Sequence, residues 1–285
     1  MIQSLRNIKL RIRSIQSTQK ITRAMQMVSS AKLSRVKGML IASRPYCLKL
    51  ESMIDEILSH IEGKTHPLLA GLRSIGAVAL CIITSDTGLC SNYNNNVIRS
   101  AEGFIKSRDK NKVKLITVGK EGFRHFRKHG YEVSRSYLEL YGRFSAGISE
   151  KITSELTGMF LRNEVDEVFI AYTHFDSTLR HKPIVEKFLN IEHIGKSESD
   201  FLIMEPNEDR VLEELLPKYL SEKVRLMMLD SFTSEHAARM IAMKAATDNA
   251  KELIDKLTLL KNKARQAAIT REVTEIAMSA EALKG

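Results

Sequence analysis

The chain has 285 residues, 43% of them hydrophobic and 27% charged, with a formal net charge of +10. That is enough chain for one or two domains with a sizeable core, at an ordinary balance of apolar and charged residues. The longest purely apolar run, residues 77–83, is far too short to span a bilayer, and Cys47, Cys81 and Cys90 form neither a C-x-x-C nor a zinc spacing.

The cysteines read as free or buried thiols of a reducing compartment. The charge is unevenly placed. Residues 1–50 hold eleven Lys or Arg and no Asp or Glu, while the rest of the chain carries 33 basic and 34 acidic residues. This basic stretch is amphipathic, as a mitochondrial presequence is. Its apolar period continues in phase well past presequence length, so it reads as part of the mature structure. No secretory signal is visible.

In chain order, residues 4–61 predict one long helix. Leu5, Ile8, Ile12, Ile15, Leu33, Val36, Leu40, Cys47, Leu50, Ile54, Ile57 and Ile61 share a heptad seam that turns polar at Gln19, Thr22, Gln26 and Ser29. Polar seam positions weaken a coiled coil but fix its register. Ile21, Met25 and Val28 lie off the seam, so an apolar patch faces another side there. Pro45 predicts a bend, a break or a new helix start.

Residues 75–191 change period. The run 77–84 has the continuous Val and Ile content of a strand buried on both faces. Further strands are expected at 113–118, 131–137, 167–173 and 184–191, with helices at 94–107, 121–129 and 145–162. Such alternation predicts an open α/β sheet. Residues 192–217, with Pro206 and Pro217, read as a linker.

Residues 218–284 contain neither Gly nor Pro. Met243, Ala246, Ala250, Leu253, Leu257, Leu260, Ala264 and Ala267 recur at a period near 3.5, the seam of a left-handed coiled coil. The stripe changes phase at Ile269, Val273, Ile276, Ala280 and Leu283. One unbroken helix of this length spans roughly 100 Å. Each terminal stripe needs a partner, so the two ends of the chain are expected to wind together as an antiparallel coiled coil. The fold class is then α/β: long paired N- and C-terminal helices with an inserted open α/β sheet domain.

Gly195-Lys196-Ser197 ends like a phosphate loop, but Asn190 stands where the motif needs Gly, and the following residues open no helix. A surface turn is the better reading. Glu121, His125 and His129 share a helical face, yet Lys120, Arg124, Arg127 and Lys128 oppose a cation there. The loop 84–92 follows the most buried strand, where α/β sheets place ligands. It has one glycine and no base to activate Cys90, so a structural turn fits better. Ser234-Glu235-His236 is a triad only in letters, because helix neighbours do not face one another. A basic segment beside heptads also suggests a DNA-binding zipper. Here Arg6, Lys9, Arg11, Arg13, Lys20 and Arg23 interleave with the seam instead of preceding it, which suits an anionic or polar protein partner better.

Over nearly its whole length the chain resembles the gamma subunits of F-type ATP synthases. The resemblance rests on Thr18-Gln-Lys-Ile-Thr-Arg-Ala-Met-Gln-Met-Val28, Thr84-Ser-Asp-Thr-Gly-Leu-Cys90, Ser234-Glu-His-Ala-Ala-Arg-Met240, Ala246-Thr-Asp-Asn-Ala250 and Asn262-Lys-Ala-Arg-Gln-Ala-Ala-Ile-Thr270. It implies a non-catalytic central rotor shaft within three alpha and three beta subunits. A Rossmann-like domain would sit at its foot, beside the epsilon subunit and the membrane c-ring. Ion-driven c-ring rotation would then be coupled to conformational change at the beta-subunit nucleotide sites.

The same resemblance implies alpha/beta contacts at Arg23, Met25, Arg265, Gln266, Thr270 and Glu275, and a foot contact at Ile203, Met204 and Glu205, within 203–207. It implies no bound nucleotide, cofactor, metal or nucleic acid. Its location would be peripheral, on the cytoplasmic face of a bacterial inner membrane or the matrix side of an organelle membrane. Thr87, Ser91, Lys261 and Ser279 depart from the Arg, Gly, Tyr and Gly common in the family, and no paired-cysteine regulatory insertion is present. The competing readings are a coiled-coil nucleic-acid-binding protein and an α/β enzyme using the loop 86–90.

Overall fold

A computed structural model describes residues 5–60, 66–69, 76–108, 112–191, 205 and 208–282. The elements are α1 (Leu5–His60), a short 3-10 turn (Pro67–Leu69), β1 (Val78–Ile83), α2 (Tyr93–Lys106), β2 (Val113–Val118), α3 (Lys120–Lys128), β3 (Val133–Tyr137), α4 (Ala146–Leu161), β4 (Glu167–Phe175), β5 (His181–Leu189) and α5 (Glu208–Ala282). The chain divides into two compact units, Met1–Val28 with Met240–Gly285, and Ser29–Arg239.

Two expectations about helix continuity change. Pro45 lies inside α1 and does not break it. The ring is on the exposed face, while Leu40, Ser43, Cys47 and Leu50 stay buried on either side, so packing carries the helix across the lost hydrogen bond. Likewise α5 starts at Glu208, ten residues before the expected start, and contains Pro217. Leu212, Leu216, Tyr219 and Leu220 keep one buried stripe through that proline. Of the expected linker 192–217, therefore, 208–217 is helix; the remainder, apart from residue 205, lies outside the described residues.

In the first unit, Ile8, Ile12 and Leu257 form a core with Ile15, Ile254 and Ala264 packed against it. Thr22 and Thr247 meet hydroxyl to hydroxyl at 2.8 Å. Numbers rise along one helix as they fall along the other, so the pair is antiparallel. The N-terminal seam is as expected, polar positions included: Thr22 and Ser29 are buried, Gln19 and Gln26 half-buried. The C-terminal seam differs. Leu253 and Leu260 are about half exposed, at 49% and 50%, and Ala267 is exposed, whereas Ile254 packs inward and Thr247 meets Thr22. Both alternatives have period 3.5; only the partner's position decides which flank of a broad apolar stripe faces in.

In the second unit the sheet order is β3-β2-β1-β4-β5, parallel except for β4 with β5. Central β1 is buried at every residue, as its unbroken apolar run requires. Helix α2 covers one face, with Val97, Ile98, Ala101 and Ile105 against Leu80, Ile82, Leu115 and Phe126.

Every residue from Met227 to Arg239 is buried, although the stretch includes Asp230, Ser231, Ser234, Glu235, His236 and Arg239. A buried helix with this many polar groups needs a partner for each. Asp230 accepts from Arg44 at 2.8 Å and meets His174 Nδ1 at 3.1 Å. Ser231 Oγ meets Tyr93 OH at 2.8 Å. Arg239 donates to Glu235 at 2.6 Å and to the carbonyls of Thr87 at 2.8 Å and Gly88 at 3.2 Å. Through Arg239, α5 therefore holds the loop that follows β1.

That loop in turn starts α3. Lys120 N donates to Asp86 Oδ1 at 3.0 Å, Glu121 N to Ser85 O at 3.0 Å, and Gly122 N to Thr84 Oγ1 at 2.9 Å. Three consecutive residues thus satisfy the first three amides of a helix far along the chain, groups that a helix cannot satisfy itself. The approach is tight. Gly119 has φ +92°, and a Cβ there would lie 2.2 Å from Thr84 O. Asp86 also accepts from Glu139 N at 3.0 Å and Tyr141 N at 2.7 Å. His236, by donating Nε2–H to Gly142 O at 3.0 Å, fixes the far side of the same segment.

Three measurements follow from this packing. Thr22→Cys with Thr247→Cys should cross-link on mild oxidation, because their side-chain oxygens already touch; gel mobility before and after reduction reads it. Asp86→Ala leaves three backbone amides without their acceptor and should cost on the order of 3–5 kcal/mol in urea denaturation. The third concerns pH. Burial pushes His236 down to about 4, Arg239 and Lys32 add to the shift, and the Gly142 carbonyl opposes it. Above the unfolded value near 6.5 both states are neutral. Below it the unfolded state takes up the proton first, so stability falls between about pH 6.5 and 4, by at most ~3 kcal/mol. His236→Gln, which keeps a donor but cannot titrate, should flatten that slope.

Candidate partner-binding surface

The first unit carries an unusual surface. Arg6, Lys9, Arg11, Arg13, Lys20 and Arg23 are all exposed, and none has an ion-pair partner among the described residues. Like charges at helical spacing repel one another by a few tenths of a kcal/mol per pair. A face kept cationic at that cost is suited to an anionic neighbour.

Arg265 forms part of a groove of about 630 Å³ lined by Leu5, Lys9, Ile12, Arg13, Lys261 and Glu272. Four cations there oppose one carboxylate. Neither Arg265 nor Glu272 is ion-paired among the described residues. Gln266 does not line this groove; its carbonyl accepts the Thr270 hydroxyl at 3.0 Å. Arg265 and Gln266 thus diverge, as neighbours about 100° apart on a helix must.

Further along α5, Arg271 Nε donates to Glu275 at 2.7 Å, with the two side chains 81% and 60% exposed. An ion pair so exposed contributes at most about 1 kcal/mol and is readily exchanged. Every described residue from Arg265 onward is exposed, including Ile269, Val273, Ile276 and Met278 at 52–69%. A second shallow groove, on α5 alone, is lined by Glu272, Glu275, Ile276, Ser279 and Ala280.

Arg23 is exposed and Met25 half-buried, flanked by exposed Ile21 and Val28. They adjoin Thr22, whose partner Thr247 lies 18 residues before Arg265, roughly 27 Å along the helix at 1.5 Å per residue. The structure therefore makes two patches of these residues. Glu205 is exposed, while Ile203 and Met204 lie outside the described residues. Sequence reasoning missed Lys9, Arg13 and Glu272 as groove residues. The i, i+4 spacing of Lys9 with Arg13 and of Lys261 with Arg265 was the available signal.

Among the described residues of the second unit, the candidate catalytic groups are not brought together. Burial pushes the Cys90 thiol up, and its polar neighbours are Asn94 at 3.3 Å, Ser85 at 3.8 Å and the Thr87 carbonyl at 3.9 Å. None is a base that could activate it. Ser234 points to the Thr173 carbonyl and His236 to that of Gly142, so the triad letters face different ways. Glu121 pairs with Arg124, and His125 Nε2 meets Glu102 at 2.8 Å. Among the described residues no group of three His, Cys, Asp or Glu could hold a metal ion, and no helix is long and apolar enough to cross a membrane.

Comparison with known proteins agrees with this picture of long paired helices and an inserted sheet. The family model described as "ATP synthase" matches residues 4–283. The "ATP synthase gamma chain" of Chlorobium phaeobacteroides is 39% identical over 289 residues, covering 99% of each chain. That of Moorella thermoacetica is 40% identical over 281 residues, covering 98% of this chain and 99% of its own. Among solved structures, a chain of the Euglena gracilis mitochondrial ATP synthase, OSCP/F1/c-ring, in rotational state 3 aligns with TM-score 0.70 and 18% identity, over 98% of this chain and 94% of that one. A chain of the rotor of the same synthase in rotational state 1 gives 0.64 and 17%, over 93% and 98%. With a family model spanning nearly every residue and relatives near 40% identity end to end, the chain belongs to the ATP synthase gamma chain family.

Proposed function

We propose that this chain is the central-stalk rotor subunit of a proton-translocating F-type ATP synthase, itself non-catalytic. The observation that carries the reading is the end of α5. From Arg265 to Ala282 every residue of the helix is exposed among the described residues, apolar Ile269, Val273, Ile276 and Met278 included. An isolated helix of that kind is marginal in water, and such an apolar surface implies an enclosing partner. A ring of three alpha and three beta subunits provides one.

In this reading 1–61 and 218–285 form the shaft, and 75–191 is the foot beside the epsilon subunit and c-ring, with 192–217 leading back and Ile203, Met204 and Glu205 meeting the c-ring. The subunit is peripheral, on the cytoplasmic face of a bacterial inner membrane or the matrix side of an organelle membrane, and binds neither nucleotide nor nucleic acid. The exposed, unpaired cations of α1 favour an acidic protein surround over a nucleic-acid groove, since they flank a seam occupied by α5.

Arg23 and Met25 form one alpha/beta contact and Arg265, Gln266, Thr270 and Glu275 another. Because Arg265 and Gln266 diverge, they engage different neighbours as the shaft turns, each in only some rotational states. A charge-assisted contact of this kind contributes roughly 1.5–3 kcal/mol. Arg265→Ala with Gln266→Ala should leave the purified complex fully assembled while slowing steady-state ATP hydrolysis about tenfold or more. Wild-type turnover at normal subunit stoichiometry would remove both residues from coupling.

A further inference from the structure

A second cationic concavity lies in the other unit, between α1 and the segment that follows β3. It encloses about 500 Å³ and is lined by Lys32, Arg35, Val36, Met39, Gly142, Arg143 and Phe144. Three of these seven residues are cationic and none is acidic. Neither Arg35 nor Arg143 has an ion-pair partner among the described residues.

The backbone carrying Arg143 and Phe144 is strained and firmly held. Glu139, Tyr141 and Gly142 all have positive φ, of 65°, 51° and 63°, and the first two are not glycine. Such conformations cost of order 1–3 kcal/mol each for residues with a Cβ and persist only where surroundings impose them. Here Asp86 accepts the amides of Glu139 and Tyr141, Lys32 donates to the Tyr141 carbonyl at 3.1 Å, and His236 donates to that of Gly142 at 3.0 Å. Arg225 lies 5.3 Å from the Phe144 ring centre and backs the wall. None of these anchors neutralises Arg35 or Arg143.

Burial holds Lys32 below the usual lysine value, and Arg143 pushes it further the same way, against the weaker pull of Glu235. The like charges therefore crowd one another in the groove. A multivalent anion would relieve that repulsion.

We propose that this groove is a binding site for a compact phosphoryl anion, with Arg35 and Arg143 as the guanidinium forks and Lys32, held by the Tyr141 carbonyl, as an added point charge. Guanidinium groups match phosphate oxygens two at a time, and a lysine adds charge without directional demand. Three cations around one small concavity exceed what a single carboxylate balances and suit a phosphoryl group of two or more charges. Free pyrophosphate and a phosphomonoester lipid headgroup, as in phosphatidic acid, share this chemistry. The site is independent of the rotor reading, which rests on the other unit.

The test is titration of the purified full-length chain with pyrophosphate by calorimetry, in wild type and in Arg35→Ala with Arg143→Ala. Both arginines are exposed, so the variant should fold normally. Pyrophosphate should bind the wild type, and the variant should lose that binding or show it at least tenfold weaker. Arg99→Ala with Lys106→Ala, exposed cations of α2 outside both grooves, should bind as wild type. No binding, equal binding by the groove variant, or equal loss in the control variant overturns the proposal. Competition by polyglutamate as effective as pyrophosphate also overturns it, in favour of an acidic protein segment. Flotation with vesicles of phosphatidylcholine alone or with added phosphatidic acid separates the sources. Arginine-dependent binding to the anionic vesicles alone assigns a headgroup, and its absence beside pyrophosphate binding assigns a free anion.

Discussion

The Asp86 carboxylate is the point on which the second unit's loops depend. It accepts three backbone amides, from Lys120, Glu139 and Tyr141, which belong to separate stretches of chain. A buried amide without an acceptor costs about 1–3 kcal/mol, so one charged acceptor serving three amides ties those stretches together more firmly than apolar contact could. Arg239 fastens the same loop to α5 through the carbonyls of Thr87 and Gly88. The sheet is thereby tied to a helix by directional bonds.

This arrangement also bears on what the sheet does not do. In open parallel sheets, ligands bind beyond the carboxyl ends of the strands, often with phosphate at a helix N-terminus. Here the chain's own Thr84, Ser85 and Asp86 occupy that position and satisfy the first amides of α3. Gly119 and Gly122 let the two segments approach closely, with no room for a Cβ at Gly119. The α/β sheet is retained as a scaffold, with its usual anion position filled from within.

The helical unit uses a different balance. Its seam is apolar at Ile8, Ile12 and Leu257 but joined by hydroxyls at Thr22 and Thr247. A pair of hydroxyls that must meet contributes less than two leucines would, but it penalises every other register. Beyond Ala264 the described residues of α5 are all exposed, its apolar side chains among them. Burial on one stretch and bare surface on the next separate what holds this unit together from what it offers a partner.

The sequence by itself determined the kinds and order of elements, because periods of 2, 3.5 and 3.6 are written directly in where apolar residues fall. It also located the polar interruption at Gln19–Ser29 and the strand bounds of β2, since those depend on local pattern. It did not reveal that Pro45 and Pro217 sit within continuous helices. Proline's local cost is overridden there by stripes buried on both sides, a term that exists only once the partner is in place. Nor could it choose Ile254 over Leu253, because both are apolar and adjacent, and the choice belongs to the facing helix. Tertiary structure alone joined Asp86 to Glu139 and Tyr141, and Lys32 and Arg35 to Arg143. Contacts between distant segments leave no period in the chain, only residue types whose charges await partners that folding supplies.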